Sequence, residues 1–375
     1  MKPVFAAIFI SIFVAVYGAL HYYAYRKLAP LFPQHHWILI SILVLLGCSI
    51  FIVEIFMHAG VVNGITRPAA LISFSWMGLL FLFFALSGAI DVVAWVAGKT
   101  AAHQIHVTLG SPGRTIVVSI VVLLTAGYGH WSSQRFHIEK ILLSSPKITA
   151  PLTIVQITDL HLGLLGDEAY FQGVVDAVNA TDPDIIVSTG DLVDMQMDHL
   201  QKFKNIMSGL RARLGKYAVY GNHEALAGVE ASRAFTQNIG FSLLSNSGIT
   251  IDNAINLVGV DDPAVDRWRQ STPVDEHALL KQFDNGLFTL LLKHQPRIDH
   301  ASQGMFDLQL SGHTHGGQIF PFGLLIHLFY KEPFGFSRIG DKSWLYVSRG
   351  TGTWGPPMRV LAPPEVTVIQ LRASD

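Results

Sequence analysis

A chain of 375 residues that is 50% hydrophobic and only 14% charged departs from soluble globular composition, where roughly 25% charged residues are usual, and the apolar excess lies almost entirely before residue 132. A net charge of −1 with no run of Lys or Arg gives neither a nucleic-acid footprint nor a polybasic anchor, so nucleic acid is not an expected partner. The single cysteine, Cys48, excludes an internal disulfide and a thiolate-built zinc site.

Four apolar stretches come first: Pro3–Tyr23, Trp37–Met57, Ala69–Ile90 and Thr115–Trp131. Crossing ~30 Å of hydrocarbon takes about 20 apolar residues, a length the first three supply and the fourth approaches. The expectation is therefore an N-terminal four-helix transmembrane region over residues 1–131, a linker and domain entry over 132–150, and a soluble domain over 151–375. The first stretch is too long for the apolar core of a cleaved signal and no small-x-small site follows it, so it reads as a retained span. An even number of spans puts the N-terminus and the soluble domain on one side. Arg26, Lys27, Lys99 and Arg114 fall on one face of the membrane and Lys2, Arg67, Arg135 and Lys140 on the other. That count is balanced, and Lys147 with the initiating amine tilts the expectation to a cytoplasmic domain. Glu54 and Asp91 fall at the expected ends of spans, where a carboxylate reaches headgroup water.

From Ile138 onward short apolar runs alternate with amphipathic segments. Strands are predicted at Leu152–Thr158, Ile185–Ser188, Tyr217–Tyr220, Asn256–Val260, Phe288–Lys293, Asp307–Ser311, Trp344–Val347 and Val366–Leu371, with helices between them, for example Glu168–Asn179 and Leu200–Leu210. That alternation predicts an α/β domain with helices layered on sheet.

Five of these strands end in residues that bind metals or move protons: Asp159-Leu160-His161, Gly190-Asp191 with Asp194 beyond it, Gly221-Asn222-His223-Glu224, His294, and Gly312-His313-Thr314-His315. The carboxyl ends of strands are where α/β sheets place their sites. The neighbouring glycines permit the tight turns and close backbone approach that such loops need. Imidazole and carboxylate together suit Mn, Fe or Zn better than Mg or Ca alone.

At this point the sequence resembles the calcineurin-like metallophosphoesterases, whose blocks run D-x-H, G-D, G-N-H-(D/E), H and G-H-x-H. All five occur in order between Asp159 and His315, and the resemblance extends over Thr153–Leu371. It implies an αββα sandwich and two divalent metal ions, with manganese first in order. One ion would be held by Asp159, His161, Asp191 and His315, the other by Asp191, Asn222, His294 and His313. It further implies that His223 protonates the leaving group, with Asp194 and Glu224 orienting the groups around it. The implied reaction is hydrolysis of a phosphate ester or pyrophosphate by a hydroxide shared between the ions.

Gly259–Pro263 and Arg349–Pro357 resemble a membrane-associated bacterial branch of that family, which includes broad phosphodiesterases and hydrolases of UDP-2,3-diacylglucosamine. Glu224, in place of the more frequent Asp, also occurs in that branch. Residues 319–336 follow the last metal motif directly and are rich in aromatics but broken by Pro and Gly, which suits neither a sheet strand nor a span. Phe320, Phe322, Leu324, Leu325, Phe329 and Phe334 are the candidates for a lid resting in the membrane interface, with membrane lipids as partners and a lipid-linked phosphate as substrate. The place expected for such a chain is a bacterial inner membrane. Two further readings stay open: a broad phosphodiesterase or phosphoprotein phosphatase whose helices are a simple anchor, and a non-catalytic receptor or transporter with a structural metal centre. No sequence feature sets an oligomeric state.

Overall fold

The computed structural model describes the chain apart from residues 1–2, 60, 62–63, 100–111, 196, 198–199 and 375. It divides into two units, Met1–Trp131 with Gly355–Val360, and Ser132–Trp354 with Leu361–Asp375.

The first unit contains helices α1 (Pro3–Leu28), α2 (His36–His58), α3 (Thr66–Gly98) and α4 (Pro112–Ser133, whose last two residues belong to the second unit). Among the described residues, three helical segments have the length and apolarity of a span: His36–Met57, Thr66–Gly98 and Pro112–Ser133. The fourth apolar stretch is thus longer than its sequence pattern suggests, at 22 residues. At ~1.5 Å per residue the 33-residue α3 exceeds ~30 Å of hydrocarbon, and Asp91 lies inside it and not beyond its end. Asp91 is also not simply turned to water. It accepts hydrogen bonds from Lys27 Nζ (2.6 Å), Arg114 (2.8 Å) and Tyr23 Oη (2.6 Å), which brings two of the four cations assigned to one face together on a carboxylate. Lys2, counted on the opposite face, lies outside the described residues. Small residues admit residues 355–360 among the helices: a Cβ on Gly78 would stand 2.8 Å from Met358 Sδ, and the Arg359 amide donates to the Gly129 carbonyl at 2.8 Å.

The second unit holds two six-stranded mixed sheets. In chain order the strands are β1 (His137–Ser145), β2 (Leu152–Ile157), β3 (Ile185–Ser188), β4 (Lys216–Ala218), β5 (Ser242–Leu243), β6 (Ser247–Ile251), β7 (Ile255–Val260), β8 (Phe288–Lys293), β9 (Leu308–Ser311), β10 (Gly335–Ile339), β11 (Ser343–Val347) and β12 (Glu365–Ala373). The orders are β1-β12-β2-β3-β4-β5 and β10-β11-β9-β8-β7-β6. Period-two alternation sorts each strand's side chains to opposite faces. Ile154, Ile185, Val187, Leu257, Leu290 and Leu310 pack together in the layer shared by the sheets. Val155, Ile157 and Ile186 face instead Val174 and Val178 of α5 (Glu168–Asn179) and Phe203 of α6 (Gln201–Met207). On the second sheet Val258 and Leu291 meet Leu279 and Leu280 of the short helix Glu276–Lys281. Helix, sheet, sheet and helix are thus stacked, each sheet buried on both faces, which is why its strands read as near-continuous apolar runs.

Several boundaries differ from the sequence reading, and β1, β5, β6 and β10 are strands it does not contain. Residues 137–145, expected within a linker, form β1, whose backbone pairs in parallel with β12 from Glu365 to Ala373. Residues 335–336, expected within the lid, open β10. β1 is set by a partner at the far end of the domain, of which a local pattern carries no record, whereas β10 forms a hairpin with the next strand, β11.

Candidate metal centre

Strands β2, β3 and β4 run parallel in one sheet and β7, β8 and β9 in the other, so their carboxyl-terminal loops collect at one edge of each. Asp159, His161, Asp191, His313 and His315 all have positive φ, between 47° and 73°. Left-handed backbone costs a non-glycine residue roughly 1–2 kcal/mol, and a cluster of such residues is a mark of functional sites. Two glycines let the loops touch. A Cβ on Gly190, itself at φ 96°, would lie 2.6 Å from the Gly221 nitrogen, and one on Gly312 would lie 2.2 Å from Asp159 Oδ2.

Asp159, His161 and His315 offer donor atoms within 4.8 Å of one another, as do Asp191, His294 and His313. In the first group His161 Nε2 is 3.1 Å from His315 Nε2 and His315 Nε2 is 3.6 Å from Asp159 Oδ1. In the second His294 Nε2 is 3.1 Å from Asp191 Oδ2, 3.0 Å from His313 Nδ1 and 3.2 Å from Asn222 Oδ1. Asp191 joins the two groups, since its Oδ2 also lies 3.8 Å from His161 Nε2. Burial pushes the His161 and His313 imidazoles down to about 3, which leaves their ring nitrogens as lone-pair donors. Burial opposes charge on Asp191, but His294 and His223 outweigh it and hold its carboxyl well below the usual range. Two clusters of lone pairs facing each other, sharing one carboxylate and nearly closed to water, fit divalent cations.

His223 and Glu224 begin helix α7 (Asn222–Ala227), which runs on to α8 (Val229–Asn238). His223 is buried, its Nδ1 lies 3.0 Å from Asp194 Oδ1, and its ring stands 4.5 Å from that of His161. Burial disfavours its charged form, but Asp191 and the Asp194 hydrogen bond prevail and raise it to about 9. Glu224 points the other way, into backbone. Its carboxylate accepts from the amides of Gly221 (2.7 Å), Leu192 (2.7 Å), Asp191 (3.0 Å) and Val193 (3.3 Å), tying the loop after β3 to the start of α7. Glu224→Gln keeps the shape but turns a donor toward those donors. The expected result is a loss of about 1–3 kcal/mol in unfolding free energy and of roughly 10–100-fold in metal affinity, read by denaturant titration and by metal competition. Unchanged metal affinity would separate Glu224 from the centre.

Several contributors are invisible to motif reading. Thr158 Oγ1 donates to Asp159 Oδ2 at 2.8 Å, and the Thr189 carbonyl lies 2.9 Å from His294 Nδ1. Trp354 sets its ring 5.8 Å from that of His223, and Gln318 holds the Trp354 backbone by hydrogen bonds to both its amide and its carbonyl. Trp354 lies in the Arg349–Pro357 stretch that carries part of the family resemblance, although its place beside His223 is not part of that reading. The segment after His315 is pinned to the metal loop. A Cβ on Gly317 would fall 2.3 Å from Gly323 Cα, Thr314 Oγ1 donates to the Pro333 carbonyl, and Tyr330 packs its ring 5.8 Å from that of His313. Within it lies a helix of about a turn and a half, Phe322–Ile326. Phe320, Phe322, Leu324, Leu325, Phe329 and Phe334 are all exposed, Phe329 by 74%.

The sequence profile of the calcineurin-like phosphoesterases matches residues 152–317. An uncharacterized metallophosphoesterase of Aquifex aeolicus is 34% identical over 67% of this chain and 98% of its own length. One from Helicobacter pylori is 28% identical over 96% of this chain and 97% of its own. A zebrafish (Danio rerio) protein described as a transmembrane protein with metallophosphoesterase domain is 30% identical over 92% and 83%. Fold, clustered donors and relatives agree, and the chain belongs to the calcineurin-like metallophosphoesterases, membrane-associated hydrolases of phosphoester bonds in this instance.

Proposed function

We propose that this chain is a binuclear metal-dependent hydrolase that cleaves the phosphate ester or pyrophosphate of a lipid-linked substrate, with UDP-2,3-diacylglucosamine as the most specific candidate. In this reading α1 is a fourth span and the catalytic domain faces the cytoplasm of a bacterial cell. Asp159, His161, Asp191 and His315 hold one ion and Asp191, Asn222, His294 and His313 the other, manganese being the first to try. Bound there, divalent ions supply Lewis-acid polarisation of phosphoryl oxygens and acidify water. The chain's own residues do the rest. Asp191 offsets the charge of both sites with one carboxylate, and His223, its Nδ1 engaged by Asp194, holds a proton at Nε2 for the departing oxygen.

The observation that carries the lipid part is the exposed apolar face of residues 320–334, fixed against the His313-Thr314-His315 loop in a chain that also has membrane-spanning helices. Each large apolar side chain moved from water into an acyl environment contributes about 1.5–3 kcal/mol, so several together can draw an acylated substrate from a bilayer. Replacing Leu324, Leu325 and Phe329 together by Ser should raise KM for an acylated substrate by roughly tenfold or more while sparing a small soluble ester such as bis(p-nitrophenyl) phosphate. A folding defect lowers both activities together. Equal loss on both substrates at unchanged metal content would refute the lipid contact and leave a soluble phosphodiester as the better substrate.

A further inference from the structure

Beside His223 stands a side chain that the ligand motifs do not include. Trp354 sets its ring against that of His223 at an interplanar angle of 77°, and the His223 ring in turn lies 4.5 Å from that of His161. The imidazole is buried while the indole is 52% exposed, so the tryptophan is on the solvent side of the pair. A second exposed apolar side chain, Leu226, follows His223 by three residues on α7 and so shares its helix face.

Trp354 is held from two directions. The chain just before it is bound to the first metal loop: the Thr351 amide donates to the Thr158 carbonyl at 2.8 Å and the Gly352 amide to the Asp159 carbonyl at 2.9 Å, while Tyr170 Oη donates to the Thr351 carbonyl. From the other side Gln318, three residues after His315, accepts the Trp354 amide on Oε1 at 3.0 Å and donates from Nε2 to its carbonyl at 2.7 Å. The loops bearing Asp159 and His315 thus fix the backbone of one exposed indole. Folding gains little from a ring left half in water, and fixing its backbone costs conformational entropy. Such a ring is preorganised for a contact, because covering it requires no further ordering.

We propose that Trp354 is a specificity-determining residue on the leaving-group side, its indole packing on a leaving group that presents a flat ring. This inference rests on the reading of His223 as the proton donor of a metal-dependent phosphohydrolase. A proton donor must reach the departing oxygen, so the side chain that flanks the imidazole toward solvent adjoins the departing group and not the retained one. Gln318 is the positioning residue for the indole.

The test varies one side of the ester at a time. Values of kcat/KM are measured for the manganese-loaded full chain in detergent on a pair of methyl phosphodiesters whose better leaving groups, phenol and hexafluoro-2-propanol, are similar in acidity but differ in having a ring. A second pair keeps p-nitrophenol as the leaving group and carries methyl or benzyl on the retained side. Trp354→Ala is expected to lower kcat/KM for the phenyl ester by roughly tenfold more than for the fluoroalkyl ester, the size of a lost ring-on-ring contact, and to leave the methyl-to-benzyl ratio unchanged. Trp354→Phe, which keeps a smaller ring, and Gln318→Ala, which keeps the indole but loosens it, fall between. Equal losses on the phenyl and fluoroalkyl esters would overturn the proposal, because a structural role or a disturbed His223 slows both alike, and so would a change confined to the benzyl ester. Wild-type turnover of the methyl p-nitrophenyl ester checks the underlying reading separately. Its absence at full metal content would sink the hydrolase reading and the proposal together, whereas turnover with an unchanged phenyl-to-fluoroalkyl ratio in Trp354→Ala would sink the proposal alone.

Discussion

Asp191→Asn is expected to abolish most of the activity, by on the order of 10³ or more, through metal content and not through unfolding. The carboxylate adjoins both donor clusters, 3.1 Å from His294 and 3.8 Å from His161. In the proposed binuclear centre Asp191 would offset the charge of both ions, which would otherwise repel each other. Asn is nearly isosteric and keeps Oδ1 as acceptor for the His223 amide, a 2.8 Å bond, so the loop retains its local support. What disappears is the charge. Several kcal/mol of lost electrostatic stabilisation corresponds to that loss of rate, at 1.36 kcal/mol for each factor of ten. The check is elemental analysis beside turnover of a small ester. A variant with wild-type metal content and near-normal kcat would refute the bridging role.

His223→Gln is expected to leave the metal content intact and to lower kcat by roughly 10² to 10⁴, the range of a lost general acid. The ring is buried and paired with Asp194, at a distance that fixes which nitrogen is free to act. Its role is separable from Asp194 by a double-mutant cycle. If Asp194 acts by orienting and charging His223, Asp194→Asn should slow the wild type but have little further effect in the His223→Gln background. Loss of metal from His223→Gln would instead move His223 among the ligands, a possibility the 4.5 Å separation of the His161 and His223 rings makes worth measuring.

The candidate site was legible in the sequence because its signal is local. Each donor sits within about four residues of a strand end, several of them beside a glycine as at Gly190-Asp191, Gly221-Asn222 and Gly312-His313, and strand ends are marked by where an apolar run stops. The helix at Glu168–Asn179 was legible for the same reason, its apolar positions recurring at helical spacing and Asp167 capping its first turn through a bond from the Tyr170 amide. The apolar composition of the first 131 residues likewise marked membrane helices without reference to any fold.

Tertiary structure decided what depends on partners far away in the chain. The short edge strand β5 and the entry strand β1 are defined by the strands they pair with, β4 and β12, which lie well away in sequence. Asp91 reads as a helix-end carboxylate until Lys27 and Arg114, more than 60 and 20 residues away, are seen to close on it. Tyr330, its ring against His313, donates to Gln295 Oε1 from 35 residues away, a pairing that no local pattern records. A sequence records which side chains can do chemistry and where the backbone turns; which of them face one another is settled when two sheets bury their shared layer and bring their loops to a common edge.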